Sequence, residues 1–325
     1  MIISKTPFRI SFVGGGSDLY EYYKDQPGSV LSTSINKYMY LSMHNYFYKD
    51  KHLLKYSQTE EVGNNKEIKH DIIREVFNYF DIRNMDFNST ADIPSGTGMG
   101  SSSSFTCGLI NICLAHKGLT MDQTEIAKLA CYFEIDVLKE PIGKQDQYAC
   151  AVGGLNLITF HSNQDVEVYK INISDYSINE LQNNLFLVYT STTRRASTIL
   201  FDQKNNTQFN SSTKSNLKIM SQMARNLVLD FEKGSIDILG QYLSEAWDLK
   251  KELSNKISNP FIDELYKLGL KSGSTGGKLL GAGGGGFILF YVPSANHERF
   301  KIGMSNFAIL DFKFDDKGTE IVYRD

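Results

Sequence analysis

The chain has 325 residues, of which 41% are hydrophobic and 22% charged, with 34 basic and 37 acidic side chains and a formal net charge of −3. At roughly 150 residues per domain, this length predicts two domains. The near balance of charge excludes a broadly basic nucleic-acid-binding face and a disordered charged tail. We therefore expect no nucleic-acid partner.

The cysteines and histidines show no pattern of a metal or disulfide site. The four cysteines have no Cys-x-x-Cys spacing and the six histidines no His-x-x-x-His pair, so neither a zinc site nor a disulfide framework is indicated. The N-terminus does not resemble a signal peptide, and no segment approaches the roughly 20 apolar residues of a membrane span. These features predict a cytoplasmic protein without a membrane partner.

Apolar periodicity predicts a mixture of strands and helices in both halves of the chain. The predicted elements are, in order, strands at 1–13 and 30–47, a polar excursion at 55–63, helices at 68–80, 105–113 and 126–137, a hairpin at 155–173, a polar stretch at 177–184, a strand at 185–190, a loop at 205–216, helices at 217–231 and 238–249, and a strand at 287–292. Thr120 with Gln123 resembles a capping box. The order lacks a regular βαβ alternation and favours an α+β fold, with domains at 1–183 and 184–325.

Residues 94–104, the first glycine loop, read Pro-Ser-Gly-Thr-Gly-Met-Gly-Ser-Ser-Ser-Ser and lead directly into the apolar segment that begins at Phe105. Glycines let successive N–H groups point at one anion, the following helix dipole adds positive charge, and hydroxyls donate to phosphate or bind magnesium. The loop lacks the Gly-Lys-Ser/Thr of a P-loop, and Ser103 stands where a dinucleotide fingerprint has its third glycine. We expect a phosphate-binding loop; a flexible linker is the alternative.

A second glycine-rich segment, residues 281–286, stands immediately before the predicted strand at 287–292. We call it the second glycine loop. It is a further candidate for anion binding, and the alternative is a tight turn into a buried strand where backbone packs on backbone. The two segments together favour a phosphate ligand more strongly than either does by itself.

Two acidic residues are candidates for the chemistry of phosphoryl transfer, which requires magnesium, donors around the phosphates and a group that orients or deprotonates the acceptor hydroxyl. Glu134 lies on the last turns of a predicted helix, and Asp146 follows a Pro/Gly break. A helix end and the next helix start can bring both carboxylates to one phosphate, one as metal ligand and one as base. The alternatives are a solvated helix residue for Glu134, an N-cap for Asp146 and a surface charge for Lys144.

Three segments resemble, in order, the sequence motifs of the GHMP kinase superfamily, which includes galactokinase, homoserine kinase and mevalonate kinase. Residues 5–18, which end in Gly-Gly-Gly-Ser-Asp, are similar to the first motif, residues 94–104 to the ATP phosphate loop, and residues 277–282 to the third motif. The resemblance implies an ATP- and Mg²⁺-dependent phosphotransferase with an alcohol group as acceptor. It also implies an N-terminal domain like the second domain of ribosomal protein S5, a C-terminal ferredoxin-like domain, and an active site between them.

The same resemblance implies a role for each candidate site residue. Asp146 is the expected catalytic base, Arg9 is expected beside the transferred phosphoryl group, and Asp18 is expected to bind sugar hydroxyls. Magnesium is expected on Ser102 and Glu134. The residues expected around the ATP phosphates are Pro94, Gly96, Gly98, Gly100, Ser101, Ser102 and Ser103. Those expected to contact the acceptor are Gly15, Gly16, Ser17, Asp18, Arg194, Gly283 and Gly284.

Departures from galactokinases indicate a different acceptor. Gly15 and Gly16 stand where galactokinases have Glu and His, which makes galactose an unexpected substrate. The first motif, the Gly-Lys-Gln-Asp-Gln-Tyr segment around Asp146 and the Tyr-Thr pair upstream of Arg194 resemble the D-glycero-D-manno-heptose 7-phosphate kinases. That family makes the 1,7-bisphosphate on the way to GDP-activated heptose.

A phosphorylated acceptor requires cations, and we expect Arg194 or Arg195 to bind its phosphate, with Lys144 as a further candidate. The expected partners are therefore a sugar phosphate and ATP. The alternatives are another sugar 1-kinase such as a fucokinase-like enzyme, the decarboxylating mevalonate branch, and a catalytically silent sugar- and ATP-binding sensor. The oligomeric state is left open by these patterns.

Overall fold

Two β-sheets and the helices packed on them form the computed structural model, which describes residues 1–192 and 196–325. Arg194 and Arg195 lie outside the described residues. The strands are β1 (Ile2–Val13), β2 (Gly28–Asn45), β3 (His52–Lys55), β4 (Thr59–Val62), β5 (Met85–Ala91), β6 (Leu155–Phe160), β7 (Val166–Lys170), β8 (Leu185–Tyr189), β9 (Gly276–Leu279), β10 (Phe287–Tyr291), β11 (Ile309–Leu310) and β12 (Glu320–Arg324).

The helices lie on the faces of these sheets. They are α1 (Tyr20–Tyr23), α2 (Asp71–Tyr79), α3 (Ser101–His116), α4 (Gln123–Cys131), α5 (Gln145–Val152), α6 (Asp175–Asn183), α7 (Ala196–Phe209), α8 (Ser211–Glu232), α9 (Leu239–Lys251), α10 (Pro260–Lys271) and α11 (His297–Gly303). A π-helical turn at Tyr132–Val137 continues α4. Among the helices described, none is long and apolar enough to cross a lipid bilayer.

The first sheet is built on the long antiparallel pair β1 and β2. β2 pairs with β1 along one edge, and with β6 and then β5 along the other. Helix α3 packs on both β1 and β2. Gly108 of α3 permits this close approach, because a Cβ at that position would lie 2.8 Å from Thr6 Oγ1. The packing brings the start of α3 beside the middle of β1.

The second sheet has four antiparallel strands in the order β11-β8-β10-β9. Counted along the chain from β8, this order is 4-1-3-2, with helices between the first and second strands and between the third and fourth. A βαββαβ unit with this connectivity is ferredoxin-like. The α+β class and the ferredoxin-like C-terminal domain are therefore confirmed.

The end of the chain returns to the first sheet. β12 pairs antiparallel with β1, and Phe314 forms an isolated bridge to Ile35. The predicted boundary between residues 183 and 184 lies between α6 and β8, the first strand of the second sheet. The segment 184–325 thus contains the second sheet together with a tail that completes the first.

Most predicted elements are confirmed, including the strand at 1–13, the helix at 68–80 and the hairpin at 155–173. The predicted loop at 205–216 is wrong, because α7 continues to Phe209 and α8 begins at Ser211. One of its polar residues caps a helix: the Asn210 side chain accepts a hydrogen bond from Ser212 N at the start of α8.

Two further predictions for polar segments are corrected. The capping box of α4 is formed by Asp122 and Glu125, not by Thr120 and Gln123. The polar stretch at 177–184 is largely helical, because Ser174 caps α6 by accepting a hydrogen bond from Ser177 N. In both cases the side chain of the N-cap residue accepts a hydrogen bond from a backbone N–H group in the first turn of the helix.

Candidate active site

A cleft of about 1110 Å³ lies where the two sheets meet and contains most of the predicted site residues. β1, the first glycine loop and α5 contribute from one side, and α7, α9 and the second glycine loop contribute from the other. The predicted residues that line it are Arg9, Gly15, Gly16, Asp18, Pro94, Gly96, Gly98, Gly100, Ser101, Ser102, Ser103 and Asp146.

The first glycine loop runs into the N-terminus of α3. Gly96, Gly98 and Gly100 have φ angles of +76°, +79° and +77°, a left-handed conformation that glycine adopts without steric cost. The first hydrogen bond of α3 runs from Ser104 N to Gly100 O. The first N–H groups of a helix have no intrahelical acceptor, and the helix dipole is positive there, so this geometry suits a phosphate group.

The second glycine loop packs on the first through its backbone. A Cβ at Gly281 would lie 2.4 Å from Gly98 Cα, and one at Gly286 would lie 2.3 Å from Thr97 O. This is the backbone-on-backbone arrangement that the sequence left as an alternative. From this loop, Gly281 and Ala282 line the described cleft.

Gly283 and Gly284 are not among the residues that line the described cleft, and their expected contact with the acceptor stays a prediction. A Cβ at Gly283 would lie 2.8 Å from Ile257 Cα, and Gly284 N donates to Ile257 O at 2.9 Å. These glycines therefore let the loop approach the segment that follows α9.

Arg9 and Asp146 form a bidentate ion pair at the centre of the cleft. Arg9 Nε donates to Asp146 Oδ1 at 2.8 Å and Nη2 donates to Oδ2 at 2.7 Å, while Nη1 donates to Gly98 O at 2.6 Å. Arg9 is 3% exposed, and the Asp146 side chain keeps 26% of its surface open. Each carboxylate oxygen has a second lone pair, so Asp146 can still accept a proton from a hydroxyl in the cleft.

Asp146 lies in the first turn of α5, whose N-cap position is occupied by Lys144. The N-cap alternative for Asp146 is therefore wrong. A Cβ at Gly100 would lie 3.2 Å from Arg9 Cγ and 3.6 Å from Asp146 Oδ2. The last glycine of the first glycine loop thus lets the loop backbone approach the ion pair closely.

Glu134 lies on the π-helical turn after α4, and its carboxylate is fully buried. Oε1 accepts a hydrogen bond from Ser102 Oγ at 2.6 Å; Oε2 accepts from Ser103 Oγ at 2.9 Å and from Gln147 Nε2 at 2.6 Å. Burial raises the pKa of Glu134, and the hydrogen bonds from these three side chains oppose that rise. The solvated-helix alternative for Glu134 is wrong.

The residues around Glu134 fit a magnesium ion that also binds nucleotide phosphates. Their ligand atoms are oxygens, which Mg²⁺ prefers, and Gln147 Oε1 is buried there without a hydrogen-bond partner in the described chain. Residues 1–192 and 196–325 contain no cluster of three or more His, Cys, Asp or Glu that could hold a metal ion. Mg²⁺ commonly takes one or two carboxylates and completes its shell with water and phosphate oxygens.

Asp18 and Gln145 lie at one end of the cleft, beside Asp146. Asp18 Oδ1 accepts from Gly16 N at 2.8 Å and from Gln145 Nε2 at 3.1 Å, and Gln145 Oε1 accepts from Ser11 Oγ at 3.0 Å. Burial and then the nearby charge of Asp146 raise the pKa of Asp18, against hydrogen bonds from backbone N–H groups. This end offers a carboxylate, an amide and a hydroxyl to a polyhydroxylated acceptor.

Ser17 and Lys144 are directed elsewhere. The Ser17 hydroxyl is buried and donates to Gly14 O at 2.8 Å while it accepts from Ser29 N at 3.1 Å, so it stabilises the turn after β1. This corrects the expected contact of Ser17 with the acceptor. Lys144 Nζ donates to Gln164 O at 3.1 Å. Lys144 is not among the residues that line the described cleft.

Aromatic rings line another part of the cleft, the aromatic end. The ring of Tyr56 meets that of His70 edge-on with centroids 4.9 Å apart, and His70 stacks on Phe105 at 5.1 Å. Burial lowers the pKa of His70, which favours the neutral ring. This end is suited to a planar, uncharged group.

Two family models match the chain in order. The model of the GHMP kinases N-terminal domain matches residues 67–154, and the model of the GHMP kinases C-terminal domain matches residues 227–301. The first match includes Glu134 and Asp146, and the second includes the second glycine loop. The chain belongs to the GHMP kinase family.

Several proteins resemble this GHMP kinase along most of its length. The D-glycero-alpha-D-manno-heptose 7-phosphate kinase of Campylobacter jejuni is 29% identical over 337 residues, which cover 98% of each chain. The bifunctional fucokinase/GDP-fucose pyrophosphorylase of Arabidopsis thaliana is 25% identical over 93% of this chain and 32% of that protein. The crystal structure of a D-glycero-D-manno-heptose 1-phosphate kinase from Bacteroides thetaiotaomicron matches with a TM-score of 0.82 at 23% identity, covering 100% and 99% of the two chains.

The family and the fold agree with the two-domain GHMP architecture predicted from the motifs. This GHMP kinase is an ATP-dependent sugar kinase, a phosphotransferase with an alcohol group as acceptor. Its cleft is lined by the first glycine loop and Asp146, and Glu134 is buried behind Ser102 and Ser103.

Sequence reasoning missed four side chains of the GHMP kinase site. Gln145 and Gln147 flank Asp146, and this position next to a candidate base was the available signal. Lys278 lies within the third motif, but nothing in the motif marks its side chain as a cleft residue. Lys250 carries no local signal, because its place in the cleft depends on the packing of α9 against β9.

Proposed function

We propose that this kinase transfers the γ-phosphoryl group of ATP to the anomeric hydroxyl of D-glycero-D-manno-heptose 7-phosphate, giving the 1,7-bisphosphate in GDP-heptose biosynthesis. The observation that carries the proposal is the position of Asp146 in one cleft with both Asp18 and the N-terminus of α3. The acceptor is supported by the Campylobacter relative, which matches over 98% of both chains and is named a heptose 7-phosphate kinase.

In this proposal the nucleotide spans two regions of the cleft. The adenine ring occupies the aromatic end at Tyr56 and His70, and the phosphates lie on the first glycine loop at the start of α3. Glu134 and Ser102 hold magnesium, which when bound neutralises charge on the phosphates. The close approach of Gly100 to Arg9 supports a phosphate path that ends at the ion pair.

Asp146 acts as the catalytic base. The anomeric hydroxyl gives its proton to a free lone pair of the Asp146 carboxylate while its oxygen forms the new bond to phosphorus, and ADP leaves with the electrons of the broken bond. Arg9 holds the carboxylate in place through two hydrogen bonds and faces the transferred group. Asp18 and Gln145 bind hydroxyls of the sugar.

A coupled ADP-release assay across heptose 7-phosphate, sugar 6- and 1-phosphates, free fucose and free galactose tests the acceptor. The highest kcat/KM is expected for heptose 7-phosphate. Comparable or better turnover of a free sugar would reject the proposed acceptor. Preference for free fucose would favour the second candidate, a fucokinase-like enzyme, which the similarity to the Arabidopsis fucokinase over 93% of this chain supports.

Arg194 remains our proposed partner for the distal phosphate of the acceptor, because an arginine fork matches phosphate oxygens. Arg194→Ala should raise the KM for the sugar phosphate while the KM for ATP stays near the wild-type value. Lys144→Ala is the matched control, since Lys144 Nζ is bonded to Gln164 O. An unchanged sugar-phosphate KM in Arg194→Ala would count against this role without bearing on Asp146.

A further inference from the structure

Two lysines from the second half of the chain reach the cleft, and the proposed function gives neither of them a role. Lys250 of α9 is 7% exposed, and its Nζ donates to Leu279 O at 3.2 Å and also to Gly281 O. Lys278 of β9 is 2% exposed, and its Nζ donates to Phe12 O at 2.8 Å. Within the described part of the chain, both ammonium groups bond to backbone carbonyl oxygens and neither forms an ion pair.

A buried ammonium group without a counter-charge is electrostatically costly. Burial lowers the pKa of Lys250 to about 7, with the positive charge of Arg9 acting in the same direction and Asp146 opposing it. Burial also lowers the pKa of Lys278, and the charges of Lys250 and Arg9 lower it further. An anion bound between these cations would offset that cost, so the arrangement is suited to a negatively charged ligand.

Lys250 lies where the two glycine loops touch. Its Nζ bonds to Gly281 O, and Gly281 packs on Gly98, whose carbonyl oxygen in turn accepts from Arg9 Nη1 at 2.6 Å. Two backbone segments, Gly281 and Gly98, therefore connect Lys250 to the ion pair of Arg9 and Asp146. The ammonium group is thus connected through these contacts to the ion pair, where the proposed function puts the transferred phosphoryl group.

We propose that Lys250 is a further catalytic residue of this kinase and that its Nζ binds the oxygens of the transferred phosphoryl group, exchanging them for the carbonyl oxygens of Leu279 and Gly281. As the bond from phosphorus to the acceptor oxygen forms and the bond to ADP breaks, Lys250 keeps its protons and stabilises the charge on the phosphoryl oxygens. The acceptor proton still passes to Asp146. Lys278 stays on Phe12 O and adds positive potential.

This inference rests on phosphoryl transfer at Asp146 and not on the identity of the sugar. If the acceptor screen finds fucose instead of heptose 7-phosphate, the proposed substrate fails while the Lys250 test continues with fucose. The two failures are therefore distinguishable.

The test compares Lys250→Met and Lys250→Gln with Lys251→Met as control. Lys251 is the next residue on α9, and its Nζ pairs with Asp248 at 2.9 Å. The assays measure kcat with a sugar that the wild type phosphorylates, the Kd for ADP, and the gain in ADP affinity when aluminium fluoride and the sugar mimic the transferring group. Thermal unfolding verifies that each variant is folded.

Both substitutions at Lys250 should lower kcat by roughly 10²- to 10³-fold, as loss of a donor to a transition-state oxyanion does. ADP should bind within about threefold of the wild type, and the gain from aluminium fluoride should disappear, because the lost interaction belongs to the transition state. Lys251→Met should match the wild type in all three assays.

A purely structural role predicts a different pattern. A Gln side chain keeps N–H donors, so restored turnover in Lys250→Gln but not in Lys250→Met would show that Lys250 only holds carbonyl oxygens, and would overturn the proposal. Wild-type kcat in either folded variant, or an undiminished aluminium fluoride effect, would also overturn it. If neither variant folds, the structural role is the one supported and the catalytic role is abandoned.

Discussion

Asp146, which lines the cleft, and Glu134, which is buried behind Ser102 and Ser103, are carboxylates that differ in the charge of their partners. Asp146 is partly exposed and is held by the guanidinium of Arg9 through two hydrogen bonds. Glu134 is fully buried and is held by two hydroxyls and an amide, all of them neutral. Surroundings, more than residue type, therefore distinguish the candidate base from the candidate metal ligand.

The backbone is responsible for the difference. Asp146 lies in the first turn of α5, where it faces β1 and the open cleft, whereas the π-helical turn after α4 directs Glu134 inward against the start of α3. π-helical turns often occur at functional sites because they redirect a side chain within a helix. Glu134 lies in this turn and accepts hydrogen bonds from Ser102 and Ser103.

Asp146→Asn tests the role of the partly exposed carboxylate as the base, and among the proposed variants it should have the largest effect on activity. We expect kcat to fall by roughly 10²- to 10⁴-fold, the usual contribution of a general base, because the amide cannot accept the hydroxyl proton. Nucleotide affinity should stay near normal, since the first glycine loop is unchanged. The measurements are steady-state kinetics and ADP binding; near-wild-type turnover would refute the assignment of the base.

Ser102→Ala and Ser103→Ala form a matched pair of variants that test the buried carboxylate of Glu134. Both serines line the cleft and donate to Glu134, but Ser102 is exposed whereas Ser103 is 2% exposed. The Mg²⁺ concentration that gives half-maximal rate should rise by about tenfold in Ser102→Ala, on the scale of lost metal-site interactions. Ser103→Ala should leave it unchanged and lower the free energy of unfolding by about 1 kcal/mol. Equal Mg²⁺ requirements would contradict the division of roles.

The pH dependence of the free energy of unfolding should reveal the ionisation of Glu134. We expect this effect to be smaller than those of the substitutions above. Burial raises the pKa of this carboxyl in the folded protein above its ordinary value of 4.5, so the folded state binds the proton more tightly than the unfolded chain. Its contribution to stability is therefore fully present below pH 4.5 and is lost as pH rises through the folded-state pKa.

Glu134→Gln removes this ionisation. Between pH 4.5 and neutral pH, the free energy of unfolding of the variant should rise relative to that of the wild type, without magnesium or nucleotide. Gln147 can accommodate the new amide, because its Oε1 has no partner among the described residues. Urea unfolding at several pH values measures the difference, and a constant difference would mean that Glu134 does not titrate as expected.

The first glycine loop shows how far local sequence reaches. Its alternating glycines, its hydroxyls and the apolar helix that follows were sufficient to predict a phosphate-binding helix start, and the structure places Gly96, Gly98 and Gly100 in the left-handed conformation that only glycine adopts easily. The second glycine loop has a similar composition but precedes a strand. There the glycines serve close packing, and Gly283 and Gly284 do not line the described cleft.

The amino-acid sequence by itself determined most of the elements, the order of the three motifs and the candidates Glu134 and Asp146, because helix and strand periodicity and motif spacing are local properties of the chain. The resemblance of the motifs to those of GHMP kinases added Arg9 and Ser102. Tertiary structure alone decided that Arg9 pairs with Asp146, that Gln145 bonds to Asp18, and that Lys250 enters the same cleft. The first two contacts join residues 137 and 127 positions apart, and all three features depend on how two sheets and their helices pack. No local pattern encodes that packing, so the electrostatics of the site emerged only with the fold.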